Sequence, residues 1–237
     1  MQLIECADYE EMSFMSANSI VEDLRAMPDQ WWVVATGNSP KKLYKYLTDT
    51  CQVHPDYFRE LGIIKLDEWG GIPMDAPNSC ESFIQKYILG PLSIPADRYL
   101  TFNSQTKNPE QECLRVCQEL RLRQPVQCGI LGLGANGHIG FNEPAEALVP
   151  HCHVALLSKE SQQHQMVRTL KDKPSYGMTF GMADILGCRK IILLITGEGK
   201  KEAISQLLSG RITTAIPASF LWLHPRVECY IDSSSYT

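Results

Sequence analysis

Hydrophobic and polar residues alternate in blocks whose lengths match strands and helices. Apolar residues recur every three or four positions over residues 9–27, which predicts an amphipathic helix that Pro28 ends. Residues 31–35 are continuously apolar, and a short polar loop separates them from a helix-like segment at residues 41–47. We place the first strand of the chain at residues 31–35.

The same alternation continues towards the C-terminus. Further strand-like blocks lie at residues 63–66, 128–131, 191–195 and 227–231, and helix-like segments lie at residues 81–89 and 200–208. Short apolar strands that alternate with helices are typical of a mostly parallel sheet with helices on both faces. We therefore predict an α/β fold: a single Rossmann-like, three-layer domain over residues 1–237.

Three polar loops directly follow predicted strands, at residues 36–40, 67–71 and 132–144. In open parallel sheets, ligands bind beyond the carboxyl ends of the strands, near a topological switch point. We therefore expect these three loops to meet at one crevice, although they are far apart in the sequence.

Composition narrows the range of partners. The chain has 237 residues, of which 44% are apolar, and a formal net charge of -5. It is long enough to bury a core, but it lacks the basic excess expected for nucleic acid or an anionic membrane surface. No apolar run approaches the roughly 20 residues of a membrane span, and the N-terminus lacks the pattern of a signal peptide. We predict no nucleic acid and no membrane as partners, and a cytoplasmic location.

The cysteine pattern supports the same compartment. Nine cysteines form an odd set without a CxxC pair, as expected for free thiols in a reducing cytosol. The cluster of His151, Cys152 and His153 has no second ligand pair at the spacing of a zinc site. We therefore predict structural roles for this cluster and assign no metal.

The first polar loop has the features of an anion site. It reads Thr36-Gly37-Asn38-Ser39-Pro40 and opens a helix, where unpaired backbone amides and the helix dipole favour a phosphate. An equally simple interpretation is that Ser39 only caps the helix.

Two glycine-rich segments resemble nucleotide-binding motifs without the context that those motifs require. Residues 132–137 match GxGxxG, but Gly140 and Pro144 disfavour the helix that should follow at once. The segment ending at Lys200 lacks the first glycine and the final Ser or Thr of a P-loop. Lys200 remains either a phosphate contact or a solvated surface lysine.

Acid–base chemistry is concentrated in the two other loops. Asp67 and Glu68 follow a strand directly, where one of them is suited to act as a general base, although adjacent acids also serve as loop charge and helix caps. Asn136, His138 and Glu143 share the glycine-rich loop, so a histidine with an amide and a carboxylate beside it is suited to move protons near neutral pH.

Taken together, these motifs make the chain resemble the glucosamine-6-phosphate deaminase/isomerase family, and the resemblance covers almost the whole chain. The matching segments are LDEW at residues 66–69, GLGANGHIGFNEP at 132–144, TGNSP at 36–40, TGEGK at 196–200 and AIPASFLWLH at 215–224. The long segment with the His, Asn, Glu and Pro is the most specific of them. The family implies a Rossmann-like sheet, a hexosamine 6-phosphate substrate and no metal or nucleotide cofactor.

The resemblance also assigns roles. It implies that Asp67 is the base, that His138 opens the sugar ring and that Glu143 supports it, while Asn136 stands where the glucosamine branch carries an Asp. Substrate contacts are expected from Thr36, Gly37, Asn38, Ser39, Lys200, Glu68, Trp69 and Gly137. The family also uses an arginine from a mobile segment, for which Arg168 is a candidate.

Within the family, the chain looks closest to the galactosamine-6-phosphate isomerase branch, because of Trp69, Asn136 and residues 215–224. The implied reaction converts galactosamine 6-phosphate to tagatose 6-phosphate and ammonia. Alternatives are a glucosamine-6-phosphate deaminase that forms fructose 6-phosphate, a 6-phosphogluconolactonase with the same fold, and a sugar-phosphate sensor. A sensor is disfavoured because a first strand near Trp31 leaves no room for a DNA-binding module. Whether the protein is a monomer or a homo-oligomer stays open.

Overall fold

A seven-stranded parallel sheet forms the centre of the protein, whose computed structural model describes residues 1–236. Its strands are β1 (Gln2–Cys6), β2 (Gln30–Val34), β3 (Leu61–Lys65), β5 (Tyr99–Leu100), β6 (Cys128–Gly132), β9 (Lys190–Ile195) and β10 (Val227–Asp232). They lie in the order β1-β10-β9-β6-β2-β3-β5, and every neighbouring pair is parallel. The predicted mostly parallel sheet is confirmed.

Helices cover both faces of this sheet. They are α1 (Tyr9–Ala26), α2 (Asn38–Val53), α3 (Cys80–Ile84), α4 (Pro109–Leu122), α5 (Met182–Leu186) and α6 (Lys201–Leu208). The predicted N-terminal helix agrees with α1, which begins after Asp8, whose side chain accepts a hydrogen bond from Glu11 N at 2.8 Å. The predicted helix at residues 81–89 is α3 together with the π-helical turn Gln85–Leu89 that continues it.

Alternate residues of each strand enter two different cores. In β9, Ile191, Leu193 and Ile195 pack into the core that holds α4 and α6. Ile192 and Leu194 pack into the opposite core, with α1 and α2. Because both faces are buried, the strand is a continuous apolar run, and the predicted three-layer α/β architecture is confirmed.

A smaller antiparallel sheet extends beyond the main one. Its strands are β4 (Asp67–Trp69), β7 (His153–Leu156) and β8 (Tyr176–Thr179), in the order β4-β8-β7. The chain leaves the main sheet after Leu66, and Asp67 pairs with Thr179 instead. This turn away from the main sheet places Asp67 beyond its carboxyl edge.

The main sheet has its switch point between β2 and β6. After β2 the chain builds outwards through β3 and β5, and it then returns to place β6 on the other side of β2. The loops that follow β2 and β6 therefore diverge and leave a crevice between them.

One prediction about the fold was wrong. The first strand is β1, not the block near residue 31, and it pairs with β10 at the edge of the sheet. Three of the five residues of β1 are exposed, so the strand has a mixed composition without the long apolar run that marks the central strands.

Candidate active site

A cavity of about 660 Å³ lies at the switch point of the main sheet. All three loops predicted to converge contribute to its lining, which confirms that expectation. The residues predicted as site residues that line it are Thr36, Gly37, Asn38, Ser39, Asp67, Trp69, His138 and Lys200. Residues 159–161 and 163–165 cover it from a segment that the sequence analysis did not single out.

Asp67 lies in this cavity with its carboxyl group almost removed from water. Its exposed fraction is 7%, and the Sγ of the weakly donating Cys80 thiol lies 3.9 Å from Oδ1. Burial and the adjacent Glu68 carboxylate raise the pKa of Asp67 to about 7. A carboxylate with this pKa is a competent proton acceptor at neutral pH.

Glu68 points the other way, into the protein. It is fully buried, and its Oε2 accepts hydrogen bonds from Lys65 Nζ at 2.6 Å and from Glu81 N at 2.8 Å. Its Oε1 accepts from the Trp69 and Cys80 amides. Glu68 does not line the cavity, and it holds β4 against the start of α3. Its contact with a substrate stays a prediction.

His138 is held by a short hydrogen-bonded chain. Glu143 Oε2 accepts from Asn136 Nδ2 at 2.9 Å, and this orients the amide so that Asn136 Oδ1 faces His138 Nδ1 at 2.7 Å. An amide oxygen only accepts hydrogen bonds, so Nδ1 carries the proton of a neutral ring and Nε2 is left as the proton acceptor. Asn136 and Glu143 do not line the cavity and act on it through the imidazole.

Glu143 is kept ionised by its surroundings. Burial alone would raise its pKa, but the neighbouring His138 imidazole in its charged form, with the Ser161 and Asn136 hydrogen bonds, lowers the pKa of Glu143 to about 2. Ser161 Oγ donates to Glu143 Oε1, which ties the covering segment to the loop that carries His138.

Two glycines allow the close packing of this loop. The ring of His138 lies where a side chain at residue 134 would be: a Cβ on Gly134 would lie 2.3 Å from His138 Cε1. Gly137 has a φ of +84°, and a Cβ there would lie 2.9 Å from Ile216 Cδ1. Gly137 packs against Ile216 and does not line the cavity, and its substrate contact stays a prediction.

The loop after β2 presents an open helix N-terminus to the cavity. Helix α2 begins at Asn38, and its N-cap residue is Gly37, with a φ of +95° and no side-chain capping bond. Ser39 therefore does not cap the helix, which removes the alternative interpretation of this loop. Lys200 lines the same cavity, and burial lowers its pKa to about 8, as expected for a cation without an anionic partner.

His164 is a cavity residue that the sequence analysis missed. Its Nδ1 accepts from Met166 N at 3.4 Å, so Nε2 carries the proton of the neutral ring. This Nε2 faces the loop of residues 36–40, 3.4 Å from the position that a Cβ on Gly37 would take. Burial, with the charges of His138 and Lys200, lowers the pKa of His164 to about 4.

Arg168 is exposed and does not line the cavity. Among residues 1–236, no arginine lines the cavity. The side chain near Arg168 that contacts the loop of residues 36–40 is Gln165, whose Oε1 accepts from Asn38 Nδ2 at 2.8 Å. The polar composition of residues 158–165 predicts only a loop, so no feature of the sequence distinguishes His164 from an ordinary surface histidine. Within the same range, no helix has the length and apolar character needed to cross a membrane.

The fold and the cavity together define an α/β enzyme with acid–base groups at the switch point of its sheet. The model of the family described as glucosamine-6-phosphate isomerases/6-phosphogluconolactonase matches residues 8–229. The chain belongs to this family, which is the family that its motifs resemble.

Curated relatives match over nearly their whole length. The putative deaminase AgaI of Escherichia coli (strain K12) is 38% identical over 231 residues, which cover 98% of this chain and 92% of the relative. A glucosamine-6-phosphate deaminase of Clostridium perfringens (strain 13) is 34% identical over 238 residues, which cover 99% of this chain and 98% of the relative.

Solved structures agree with the fold. A monomeric glucosamine-6-phosphate deaminase of the NagB superfamily superposes with a TM-score of 0.92 at 32% identity, covering 98% of each chain. The 6-phosphogluconolactonase of Trypanosoma brucei gives a TM-score of 0.75 at 22% identity, covering 97% of this chain and 95% of the other, which shows a shared fold alone.

Proposed function

We propose that this enzyme converts galactosamine 6-phosphate and water to tagatose 6-phosphate and ammonia. The observation that carries the proposal is the placement of Asp67 and His138 in one cavity that also contains the N-terminus of α2. A base, an imidazole and an anion site are the three groups that an aldose–ketose isomerisation of a phosphorylated sugar requires.

The phosphate docks at the loop of residues 36–39. Backbone amides at the start of α2 and the helix dipole favour its negative charge, and Lys200 adds a cation whose lowered pKa the phosphate would restore. His164 adds an Nε2–H donor from the covering segment. No carboxylate forms an ion pair with Lys200 or His164 among the described residues, which supports an anionic ligand between them.

Ring opening is assigned to His138. With Nδ1 held as a donor to Asn136 Oδ1, Nε2 takes the proton of the anomeric hydroxyl and delivers a proton to the ring oxygen. Glu143 supports the imidazolium formed on the way, since its Oε2 lies 3.6 Å from His138 Nδ1.

Asp67 then carries out the isomerisation. Its carboxylate removes the proton from C2 of the open chain, which gives a cis-enolamine, and the proton returns to C1. Water adds to the C2 iminium that results, and ammonia leaves to give the ketose phosphate. Positioned proton transfers of this kind contribute about 10²–10⁴-fold each.

The galacto sugar is preferred on three features that resemble the galactosamine-6-phosphate isomerase branch: Trp69, Asn136 and residues 215–224. Trp69 lines the cavity, so it lies within reach of a bound sugar. Glucosamine 6-phosphate, giving fructose 6-phosphate, is the second candidate, which the Clostridium perfringens relative favours. We expect the enzyme to act in the cytoplasm, and its nine free cysteines support a reducing compartment.

The first test is to incubate the purified enzyme with each hexosamine 6-phosphate and to measure ammonia and the ketose phosphate. Both products from the galacto sugar alone are expected. Activity on the gluco sugar alone would keep the proposed chemistry and refute the epimer assignment. If neither amino sugar released ammonia and the enzyme hydrolysed 6-phosphogluconolactone, the proposal would be refuted.

The variant Asp67→Asn tests the base directly. It should bind substrate but fail to exchange the C2 proton with deuterium from solvent, because the amide cannot accept that proton. Exchange at the wild-type rate would refute the role of Asp67. The exposed Asp97→Asn serves as the matched control and should exchange normally.

A further inference from the structure

The side chain of Cys80 connects the base of the proposed reaction to the loop that follows β2. Its thiol donates a weak hydrogen bond to Asp67 Oδ1, with Sγ 3.9 Å from the oxygen, and accepts one from Thr36 Oγ1 at 3.5 Å. Asp67 and Thr36 line the active-site cavity, whereas Cys80 is fully buried and does not. The three side chains therefore form a chain of hydrogen bonds that ends on the base.

The other polar groups that face Asp67 have partners of their own. The Tyr44 hydroxyl of α2 donates to a backbone oxygen, that of Ala35, at 2.7 Å. The Lys65 ammonium of β3 forms ion pairs with two glutamates. Among residues 1–236, the hydrogen-bond donor to the Asp67 carboxylate is thus the thiol of Cys80.

The backbone of Cys80 contacts the neighbouring acid. Cys80 N, in the first turn of α3, donates to Glu68 Oε1 at 3.0 Å. One residue therefore hydrogen-bonds both acids of β4, Glu68 through its amide and Asp67 through its thiol. Because this amide bond and complete burial fix the position of Cys80, its thiol stays beside the base.

The thiol contact leaves the second oxygen of the base without a donor. Among the residues that the structure describes, Oδ2 of Asp67 has no hydrogen-bond partner, and it lies 3.4 Å from the position that a Cβ on Gly140 would take. Oδ2 is therefore the oxygen that is able to accept the C2 proton. A thiol is a weak donor, so it orients the carboxylate but lowers its basicity less than a hydroxyl or an ammonium group would.

We propose that Cys80 is a positioning residue for Asp67. Its thiol holds Oδ1, the Thr36 hydroxyl holds the thiol, and Oδ2 is thereby presented to the substrate. The inference rests on the proposed function for the role of Asp67 as the base, but the contact between the thiol and the carboxylate is measurable without substrate.

Infrared spectroscopy tests the contact itself. The S–H stretching band of Cys80 is the one that Cys80→Ala removes. It should move to lower frequency when Asp67 ionises, because a carboxylate is a stronger hydrogen-bond acceptor than a carboxylic acid. The shift should be absent in Asp67→Asn. A Cys80 band that does not change with pH in the wild type would overturn the proposal.

Kinetics test the consequence for the reaction. Cys80→Ala should lower kcat by about 3- to 10-fold, the value of one ordinary hydrogen bond, with little change in KM. It should also move the acid limb of the kcat/KM profile to higher pH, because the thiol stabilises the charged form of Asp67. The other groups that act on this carboxylate are kept in the variant: Glu68, Lys65 and Tyr44.

Cys113→Ala is the matched control, because it removes the thiol of another buried cysteine, on α4, that does not line the cavity. It should leave kcat, KM and the pH profile unchanged. An equal loss in both variants, or a lower kcat in Cys80→Ala without a shifted acid limb, would indicate a packing role and overturn the proposal.

If Cys80→Ala fails to fold, the comparison of the wild type with Asp67→Asn decides, because an S–H band that shifts with pH only in the wild type identifies the contact. A wild type that shows this shift but releases no ammonia from either hexosamine phosphate would refute the proposed function and leave the contact between Cys80 and Asp67 confirmed.

Discussion

Asp67 and Glu68 are neighbours in the chain, yet their carboxylates have opposite surroundings. Because β4 alternates its side chains between two sides, Asp67 enters the cavity and Glu68 enters the protein, where Lys65 and three backbone amides satisfy it. The charge of Glu68 is thus fixed beside a carboxylate that lacks a strong hydrogen-bond donor. One acid of the pair lines the cavity, and the charge of the other raises its pKa.

Glu68→Gln should move the acid limb of the kcat/KM profile to lower pH. Burial and the Glu68 charge both raise the pKa of Asp67 to about 7, so removal of that charge lowers this pKa and keeps the base ionised in more acidic solution. The matched control is Glu81→Gln, which removes the other carboxylate bound to Lys65. An unchanged limb in a folded Glu68→Gln enzyme, or an equal shift in both variants, would contradict the argument.

His164→Ala should raise KM by about 10- to 100-fold and change kcat little. The variant loses one hydrogen bond to the charged phosphate, which is worth about 1.5–3 kcal/mol. It changes kcat little because His164 is expected to contact the phosphate and not the reacting carbons. His164→Gln, which keeps an N–H donor, should recover part of the affinity, and the exposed His54→Ala should have no effect. A fall in kcat at constant KM would instead indicate a role in the chemical steps.

At the scale of the element, the loop of residues 132–144 is organised around its glycines. The GxGxxG match does not open a helix, as the sequence analysis predicted, and the chain instead folds back so that Gly134 N donates to His138 O at 3.0 Å. This tight turn places the imidazole directly over Gly134. The absence of a side chain at Gly134 therefore leaves the space that the His138 ring occupies.

Gly134→Ala should lower kcat by about 10²-fold without unfolding the protein. The added methyl would lie 2.3 Å from His138 Cε1, so the ring must move, and displacement of a catalytic group by about 1 Å costs about this much. Gly132→Ala is the control in the same loop, because its Cβ would lie at an ordinary 3.6 Å from Ser39 Cβ. Wild-type kcat in Gly134→Ala would show that the position of His138 is not critical.

At the scale of the whole molecule, the buried carboxylate of Asp67 lowers the stability of the folded protein at neutral pH. The pKa of Asp67 is higher in the folded protein than in the unfolded chain. Its ionisation therefore does not change the free energy of unfolding below about pH 4, lowers it as the pH rises, and reaches its full destabilising effect above about pH 7. The rise from 3.8 to about 7, at about 1.4 kcal/mol per pH unit, corresponds to at most roughly 4–5 kcal/mol. Function thus reduces stability at this residue.

Asp67→Asn should therefore stabilise the enzyme, and the gain in free energy of unfolding should grow between pH 4 and pH 7. Denaturant unfolding of both proteins across this range measures the effect. The exposed Asp97→Asn should show no such trend. A gain that is constant with pH would mean that the ionisation of Asp67 is not its source.

The sequence by itself determined the α/β class, the central strands and the three loops at the cavity. Strands buried on both faces are long apolar runs, and the residues at their carboxyl ends meet whatever their separation in the chain. It also determined the family, through a motif that spans residues 132–144. The extent of the fold as a single domain stays a prediction.

Only the tertiary structure decided which side chains face the cavity. Adjacent residues in a short strand point to opposite sides, so the local sequence pattern left open whether Asp67 or Glu68 faces the cavity. A polar loop has no periodicity to reveal its orientation, so His164 was missed, and the edge strand β1 lacks the apolar run of a central strand. The grouping of Thr36 and Cys80 with Asp67 depends on contacts between separate elements, which local patterns do not encode.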